Sequence, residues 1–480
     1  MGREIMAYRY GNRIQMAFLP PSIEEYVEQS SPVRAYDAMV EALNFDELGI
    51  EIDSGKVGNP QYDPKSMMKL LVYGYSYGIR GSRKLERETH YNLSFIWLMG
   101  DLKPDHKTIA EFRRKNKSAI AKVLKQCAQI CIKLDLIEGN TLFVDGSKFR
   151  GDASIKNTWT KEKCEKVLKK IDSRIEEILT ECEKVDSEEQ GQKSLIKMKE
   201  ELKDKEVLQD KIKKILKELE ETNVKSINTV DPECTRINSI HGSHAGYNAQ
   251  IVVDEKHGLI TSTDVVSENN DLEQFAEQIN QANETLGKKC EVACADSGYA
   301  NTDELKKIDD EKIKVIVPSQ RQASEKEIGE FAKEKFHYDS EKDCYVCPES
   351  QILTHRYTNE KENNKVYMIL DRSICLKCRH YGVCTKSKDG RRVTRLINEE
   401  VREKLERQYM ESENQKIYKL RQQKVELPFG HIRRNLNVDG FLLRGIEGAK
   451  AELSLLASCF DIVRMINILG VPRLIQALAR

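Results

Sequence analysis

The chain has no long hydrophobic run. Its longest apolar stretches fall far short of the roughly 18–20 residues that a membrane span needs, and its mean hydropathy is −0.59. The opening residues, MGREIMAYRYGNRIQMAFLPPS, carry no signal-peptide core and no clear cleavage site, so secretion is not expected. An excess of one charge is also absent: 78 Lys and Arg stand against 78 Asp and Glu. Bulk charge therefore says nothing about a polyanionic partner, and only local clustering can. Tryptophan is scarce, and Trp97 and Trp159 form no aromatic platform; they read as core or lid residues. Cysteine is not scarce, but its 13 copies are an odd number and five fall between Cys344 and Cys384. That pattern fits a reduced cytoplasmic protein with one metal-binding cluster better than a disulfide framework. The remainder, 39% hydrophobic and 32% charged over 480 residues, predicts a soluble, helix-rich protein of two to four domains.

The most informative stretch is Thr141 to Phe149, TLFVDGSKF. Leu142, Phe143 and Val144 form a short β-favouring run that meets Asp145, Gly146 and Ser147, which predicts a buried strand ending at the surface on a carboxylate. The design recurs in VACADSG, where Ala295-Asp296-Ser297-Gly298 closes another apolar run. One strand-end aspartate is most simply a turn-former. Two point to a carboxylate site for a divalent cation, because hard cations take oxygen ligands. Asp254, Asp264 and Asp271 lie near the same strands, and Asp271 after Asn270 reads as a helix cap. Glu452 in apolar helical surroundings reads as a packing residue, and His241 and His244 as polar hairpin residues.

Taken in order, residues 1–135 predict an N-terminal helical domain for DNA binding or dimerisation. Ser22 caps a first helix after Leu19-Pro20-Pro21, an amphipathic segment covers Pro32 to Leu48, and Gly55 to Pro60 is a linker. Asp63-Pro64 opens a helix, Gly81-Ser82 another reaching about Trp97, and Asp105-His106 a third with Lys107, Arg113 and Arg114. Three short helices ending in a basic one resemble a helix-turn-helix-like unit; a bundle with a solvated basic face is the plainer alternative. An amphipathic helix over 118–135 leads into the Asp145 strand. Residues 151–228 predict an inserted antiparallel helical hairpin. One seam runs through Cys164, Leu168, Ile171, Ile175, Ile178, Cys182 and Val185; a second runs through Leu195, Met198, Leu202, Leu208, Ile212, Ile215 and Leu219, with a break at Gly191-Gln192. His244 to Asp254 and Leu259 to Val266 form a strand pair. A helix from Leu272 to about Leu286, the Asp296 strand, a helix from Asp303 and the strand Ile313 to Val317 follow. This order describes an RNase H-like α/β mixed-sheet core over 136–335 and 397–480. A further helix spans about Gly445 to Leu469.

Residues 336–396 form a cysteine-rich module. Cys344-x2-Cys347 and Cys375-x2-Cys378 flank two strand-like runs, and Cys384 follows. Paired knuckles across a hairpin are the geometry of a zinc ribbon with four thiolate ligands. The spacing alone does not select four of the five.

In this order the motifs YDPKSMMKLLVYGYSYGIRGSRKLE, DHKTIAEFRR, FVDGSKF, HAGYNAQIVVD, ACADSGY, CLKCRHYGVC and VELPFGHIRRN resemble the DDE transposases of bacterial insertion sequences. The likeness is to the subgroup with a cysteine-rich element before the last acid, and it runs from LPPS through Leu469. It implies Asp145, Asp296 and Glu426 as the catalytic acids. It implies Tyr418, Arg421 and Arg433 as DNA contacts, with Arg434 beside them, and Cys347, Cys375, Cys378 and Cys384 as the structural Zn²⁺ ligands with Cys344 spare. It also implies a prokaryotic, nucleoid-associated homodimer acting on double-stranded DNA, both transposon ends and target. Two Mg²⁺ (or Mn²⁺) ions would be held by the three acids, with Asp145 bridging. Two other classes stay open: a domesticated or nuclease-only protein of the same fold without strand transfer, and a scaffold without chemistry.

Overall fold

In the computed structural model of the chain, the described residues are 22–52, 61–187, 192–222, 226–239, 242–324 and 329–479. They divide into two compact units. One comprises the residues up to Cys127, His431–Val438 and the stretch from Ser454; the other comprises Ala128–Gly430 and Asp439–Leu453. Leu19 to Pro21, the Gly55 to Pro60 linker, Gly191 and His241 lie outside the described residues.

The first unit is helical, and its helix starts are capped where the sequence places caps. Asp63 accepts from the Ser66 amide at 2.8 Å ahead of Pro64–Ser76, and Asp105 accepts from the Thr108 amide at 2.7 Å ahead of His106–Lys115. The single helix expected from Ser82 to about Trp97 is two, Ser82–Tyr91 and Leu93–Met99. Asn92 breaks it: in extended conformation, its side chain caps the second helix through the Ser94 amide at 3.1 Å. The expected 118–135 helix is likewise interrupted at Lys122, between Lys117–Ala121 and Val123–Lys133. Tyr73 packs edge-on against Tyr36 and Phe95, with ring centroids 5.3 and 4.9 Å away. Residues from Ser454 onward, expected in the catalytic core, belong to this unit instead. Their buried helix closes on its helices, as where the Cys459 thiol donates to the Val72 carbonyl at 3.3 Å.

The second unit is built on a mixed sheet. Strand β1 (Thr141–Arg150) is followed by the short ladder of β2 (Thr158–Trp159) and β3 (Ile227–Asn228), then β4 (Thr235–Ser239), β5 (Gly242–Asp254), β6 (Ile260–Val266), β7 (Val292–Cys294) and β8 (Lys314–Ile316). The order is β4-β5-β1-β7-β8, with β6 also on β5. β5 is antiparallel to β1, β4 and β6, whereas β1, β7 and β8 run parallel. Helices Phe275–Leu286 and Thr302–Asp310 supply the crossovers into β7 and β8. One face buries Leu142, Val144, Ala293, Ala295 and Val315 against those helices. Between β2 and β3 stand Lys161–Ser187 and Gln192–Thr222, the expected hairpin helices. Their seam holds Cys164, Ile171, Ile212, Ile215 and Leu219, while Leu208 is exposed. The side chains of Cys182, Val185, Leu195 and Met198 lie outside the described set.

Strands β9 (His337–Asp339), β10 (Cys344–Val346), β11 (Ile352–Asn359), β12 (Asn364–Ile369) and β13 (Arg392–Leu396) form a separate antiparallel meander with its own core of Phe336, Tyr345, Leu353, Tyr367 and Val393. The helix Ser412–Gly430, with Pro428 inside it, then runs over the first sheet. Among the described residues no single helix is long and apolar enough to cross a membrane.

Candidate active site and cysteine cluster

Asp145 was expected at a strand end, but β1 continues through it to Arg150. Gly146 and Ser147 stay extended because they pair with Gln250 and Ala249 of β5, and the ladder overrides their turn preference. What ends near Asp145 is the parallel neighbour. Phe143 pairs with Cys294, the last residue of β7, so continuing that register by two residues sets Asp296 level with Asp145. Neighbouring strands lie about 4.8 Å apart, which makes the two aspartates neighbours. The Asp296 carboxylate also accepts from the Gly298 amide at 2.7 Å.

The third acid here is Asp271. It caps no helix: the crossover helix starts at Phe275, and its N-cap position is Gln274. Asp271 Oδ1 instead accepts from Asn248 Nδ2 and Gln250 Nε2, both at 2.7 Å, and pairs with Lys148 Nζ at 3.3 Å. Tyr299 donates to Gln250 Oε1 and completes this buried network. Gly146 is required beneath it, since a Cβ there would lie 2.5 Å from Gln250 Nε2 and 2.7 Å from Asp271 Oδ1. The position of Asp271 after Asn270 reads in the sequence as a helix cap, although the polar alternation of Asn248 and Gln250 on β5 was a usable signal of its place in the site.

Arg421 lies over the pair, its Nη1 3.5 Å from Asp145 Oδ1 and its guanidinium 5.4 Å from the Tyr418 ring centroid. Burial pushes the Asp145 carboxyl up to about 7; Arg421 opposes this, and Asp296 and Asp271 add to it. Helix and strand run alongside each other, because Phe429 meets Phe149 at 6.2 Å just as Arg421 meets Asp145. Eight helical residues and four strand residues both span about 12–13 Å.

Glu426 is on this helix but five residues past Arg421, hence turned about 140° from it. It is exposed and accepts from Gln422 Nε2 at 2.9 Å. The structure therefore groups Asp145, Asp296, Asp271, Tyr418 and Arg421, and leaves Glu426 on the helix's outer side. The competing acids have other work. Glu452 accepts from the Leu442 amide at 2.7 Å, Asp254 from the Gly139 amide at 2.7 Å, and Asp264 pairs with Lys450 at 2.7 Å.

Of the expected DNA contacts, Arg433, Arg434, Lys107 and Arg114 are exposed, Arg114 being paired with Glu111 at 2.7 Å. Arg113 is not available to DNA. It is 7% exposed and donates to Tyr75 Oη at 3.1 Å, the Arg80 carbonyl at 2.8 Å and Ser82 Oγ at 2.5 Å, tying helices together.

Cys347, Cys375, Cys378 and Cys384 line one cavity of about 220 Å³. Burial raises the Cys384 thiol; Arg391 opposes, and the other three thiols add to the rise, as expected of four sulfurs close together. Cys344 is buried in β10 and does not line that cavity. Among the described residues no group of three or more His, Cys, Asp or Glu side chains has the arrangement of a formed metal site. The donor chemistry fits nonetheless: carboxylate oxygens suit Mg²⁺, and four thiols suit Zn²⁺.

Comparison with protein families adds two matches. Residues 21–115 match a family described as Transposase domain (DUF772), and residues 346–466 match one described as Transposase DDE domain. Together they support a DDE transposase of insertion-sequence type. Both matches indicate a DNA transposase. The second takes in the four cavity cysteines, Tyr418, Arg421, Glu426 and Arg433 of this transposase, whereas Asp145 and Asp296 lie outside both matches. No curated protein and no solved structure matches the chain.

Proposed function

We propose that this transposase binds the ends of an insertion sequence, cleaves a phosphodiester there and joins the freed end to target DNA. Asp145, Asp296 and Glu426 would be its acids. The observation that carries this reading is that Asp145 on β1 and Asp296, two residues past the end of the parallel β7, come level beneath Arg421. The order β6-β5-β1-β7-β8, with β5 antiparallel, supports an RNase H-like core.

Mg²⁺ or Mn²⁺ held by these carboxylates would supply positive charge to the phosphoryl oxygens and lower the pKa of bound water. The chain's own residues do the rest. Asp271, clamped by Asn248, Gln250 and Lys148, fixes the floor beneath Asp145. Arg421 neutralises part of the acidic cluster and is placed to meet a phosphate. Cleavage breaks the P–O3′ bond at the transposon end, water supplying the new oxygen on phosphorus and a proton going to the leaving 3′-oxygen. In joining, that 3′-oxygen bonds to a target phosphorus as the target P–O3′ bond breaks. For Glu426 to join the two aspartates its helix would have to rotate or bend, because here it faces outward and accepts from Gln422. Arg433 and Arg434 position the backbone rather than read bases. Cys347, Cys375, Cys378 and Cys384 hold a structural Zn²⁺, and two copies of the chain pair the two ends.

The test is cleavage and joining of end-containing DNA by Asp145→Asn, Asp296→Asn and Glu426→Gln proteins. Each is expected to lose about 10³-fold or more in rate, ~4 kcal/mol of barrier. Full activity in either aspartate variant refutes the assignment, and cleavage without joining by the unmodified chain leaves a nuclease.

A further inference from the structure

Charge within the cysteine module is segregated. Phe336 to Asp371 carries four basic and seven acidic residues, whereas Arg372 to Arg395 carries eight basic residues and one acidic. A chain with no net charge thus places a net charge of +7 in 24 residues. The fold gathers them. Helix Arg372–Lys377 is followed by a loop that folds back on it, so that a Cβ at Gly390 would stand 3.3 Å from Cys375 Sγ. Within the loop Tyr381 donates to the Lys386 carbonyl at 3.4 Å and Thr385 to the Gly390 carbonyl at 3.5 Å.

Three of the eight cations serve the fold. Arg379 pairs with Glu349 at 2.8 Å, Arg391 donates to the Cys384 and Phe331 carbonyls, and Arg395 lies 3.8 Å over Tyr338 and pairs with Glu403. The other five, Arg372, Lys377, Lys386, Lys388 and Arg392, are exposed and form no ion pair among the described residues. Asp371, which both Arg372 and Lys377 influence, is committed to capping their helix at Ser373. Exposed Tyr381 and Val383 stand between the cations in the chain.

Five solvated cations on one small knuckle repel one another unless a polyanion neutralises them together. Duplex DNA presents a charge every ~1.7 Å of its axis, dense enough to do so. We propose that residues 372–392 are a docking surface for the backbone of double-stranded DNA, with phosphates taken by Arg372, Lys377, Lys386, Lys388 and Arg392. This rests on the proposed DNA substrate and adds a contact region to it. Contacts of this kind set affinity and position, not sequence preference.

The test uses the full chain without added Mg²⁺, measuring duplex binding by fluorescence anisotropy over a salt series. Arg372→Gln, Lys377→Gln, Lys386→Gln, Lys388→Gln and Arg392→Gln are combined in one protein. A control carries Lys342→Gln, Lys361→Gln and Lys365→Gln on the acidic side of the module, and a second exchanges Lys377, Lys386 and Lys388 for Arg. The fivefold variant is expected to lose tenfold or more in affinity, and its salt slope to fall by about 4. Both controls are expected to bind as the unmodified chain does. Unchanged affinity and slope in the fivefold variant overturn the proposal. So does an equal loss in the acidic-side control, or a loss seen with single-stranded RNA but not with duplex DNA. If the unmodified chain binds and cuts duplex while the fivefold variant matches it, only this inference falls. If the unmodified chain binds no duplex at any salt, the proposed function falls with it.

Discussion

The carboxylate centre and the cysteine cluster are assembled by opposite means. The cysteines come from two short stretches, and local chain turns bring them to one cavity. The acids come from β1, the loop after β6 and the segment after β7, and only strand register brings them level. Paired CxxC knuckles announce the cysteine cluster in the residue spacing, although the spacing leaves Cys344 and Cys384 as alternatives for its fourth member. A cluster made by register appears only after the sheet is built, and an acid that reads locally as a helix cap can prove to be a member, as Asp271 shows.

The sharpest break of this comparison falls on the cysteines. Cys375→Ser with Cys378→Ser is expected to abolish Zn²⁺ binding, measured by metal analysis, and to open the module to protease. Cys344→Ser, outside the cavity, keeps its metal. Zn²⁺ loss from Cys344→Ser would show that the alternative ligand set is the true one.

The acids allow a test that needs no substrate. Asp145 has its carboxyl raised to about 7, mainly by burial. Between the ordinary carboxylate range and pH 7 the folded state holds a proton that the unfolded chain has lost, so this group's contribution to stability falls as pH rises. Asp145→Asn imitates the protonated acid. In metal-free protein it is expected to raise thermal stability more near pH 8 than near pH 5, by at most ~4 kcal/mol. Equal effects at both pH values would mean that Asp145 is an ordinary exposed acid.

The smallest expected effect concerns the N-terminal helices. Arg113→Ala strands the partners of a buried guanidinium and is expected to cost about 1–3 kcal/mol in denaturant unfolding. Arg114→Ala, removing an exposed and solvent-screened pair, is expected to change unfolding far less. The reverse ranking would restore Arg113 to the surface.

Much of this was legible in the sequence. Asp63 and Asp105 marked helix starts because a cap is a local signal. The heptads at Cys164 to Ile178 marked a hairpin because the seam is periodic. Asp145 and Asp296 were found because apolar runs led to them. Tertiary pairing settled what spacing could not: Gly146-Ser147 reads as a turn until β5 holds it straight, and Arg113 reads as a basic-face residue until Tyr75, Arg80 and Ser82 surround it. The break at Asn92 was a cap hidden inside an otherwise continuous helical pattern.

Pro428 stands two residues beyond Glu426 in the helix that also carries Arg421. Having no amide hydrogen, it leaves the Lys424 carbonyl without its usual donor four residues on. The glutamate is thus mounted on the least braced turn of an otherwise stiff rod, the natural position for a joint.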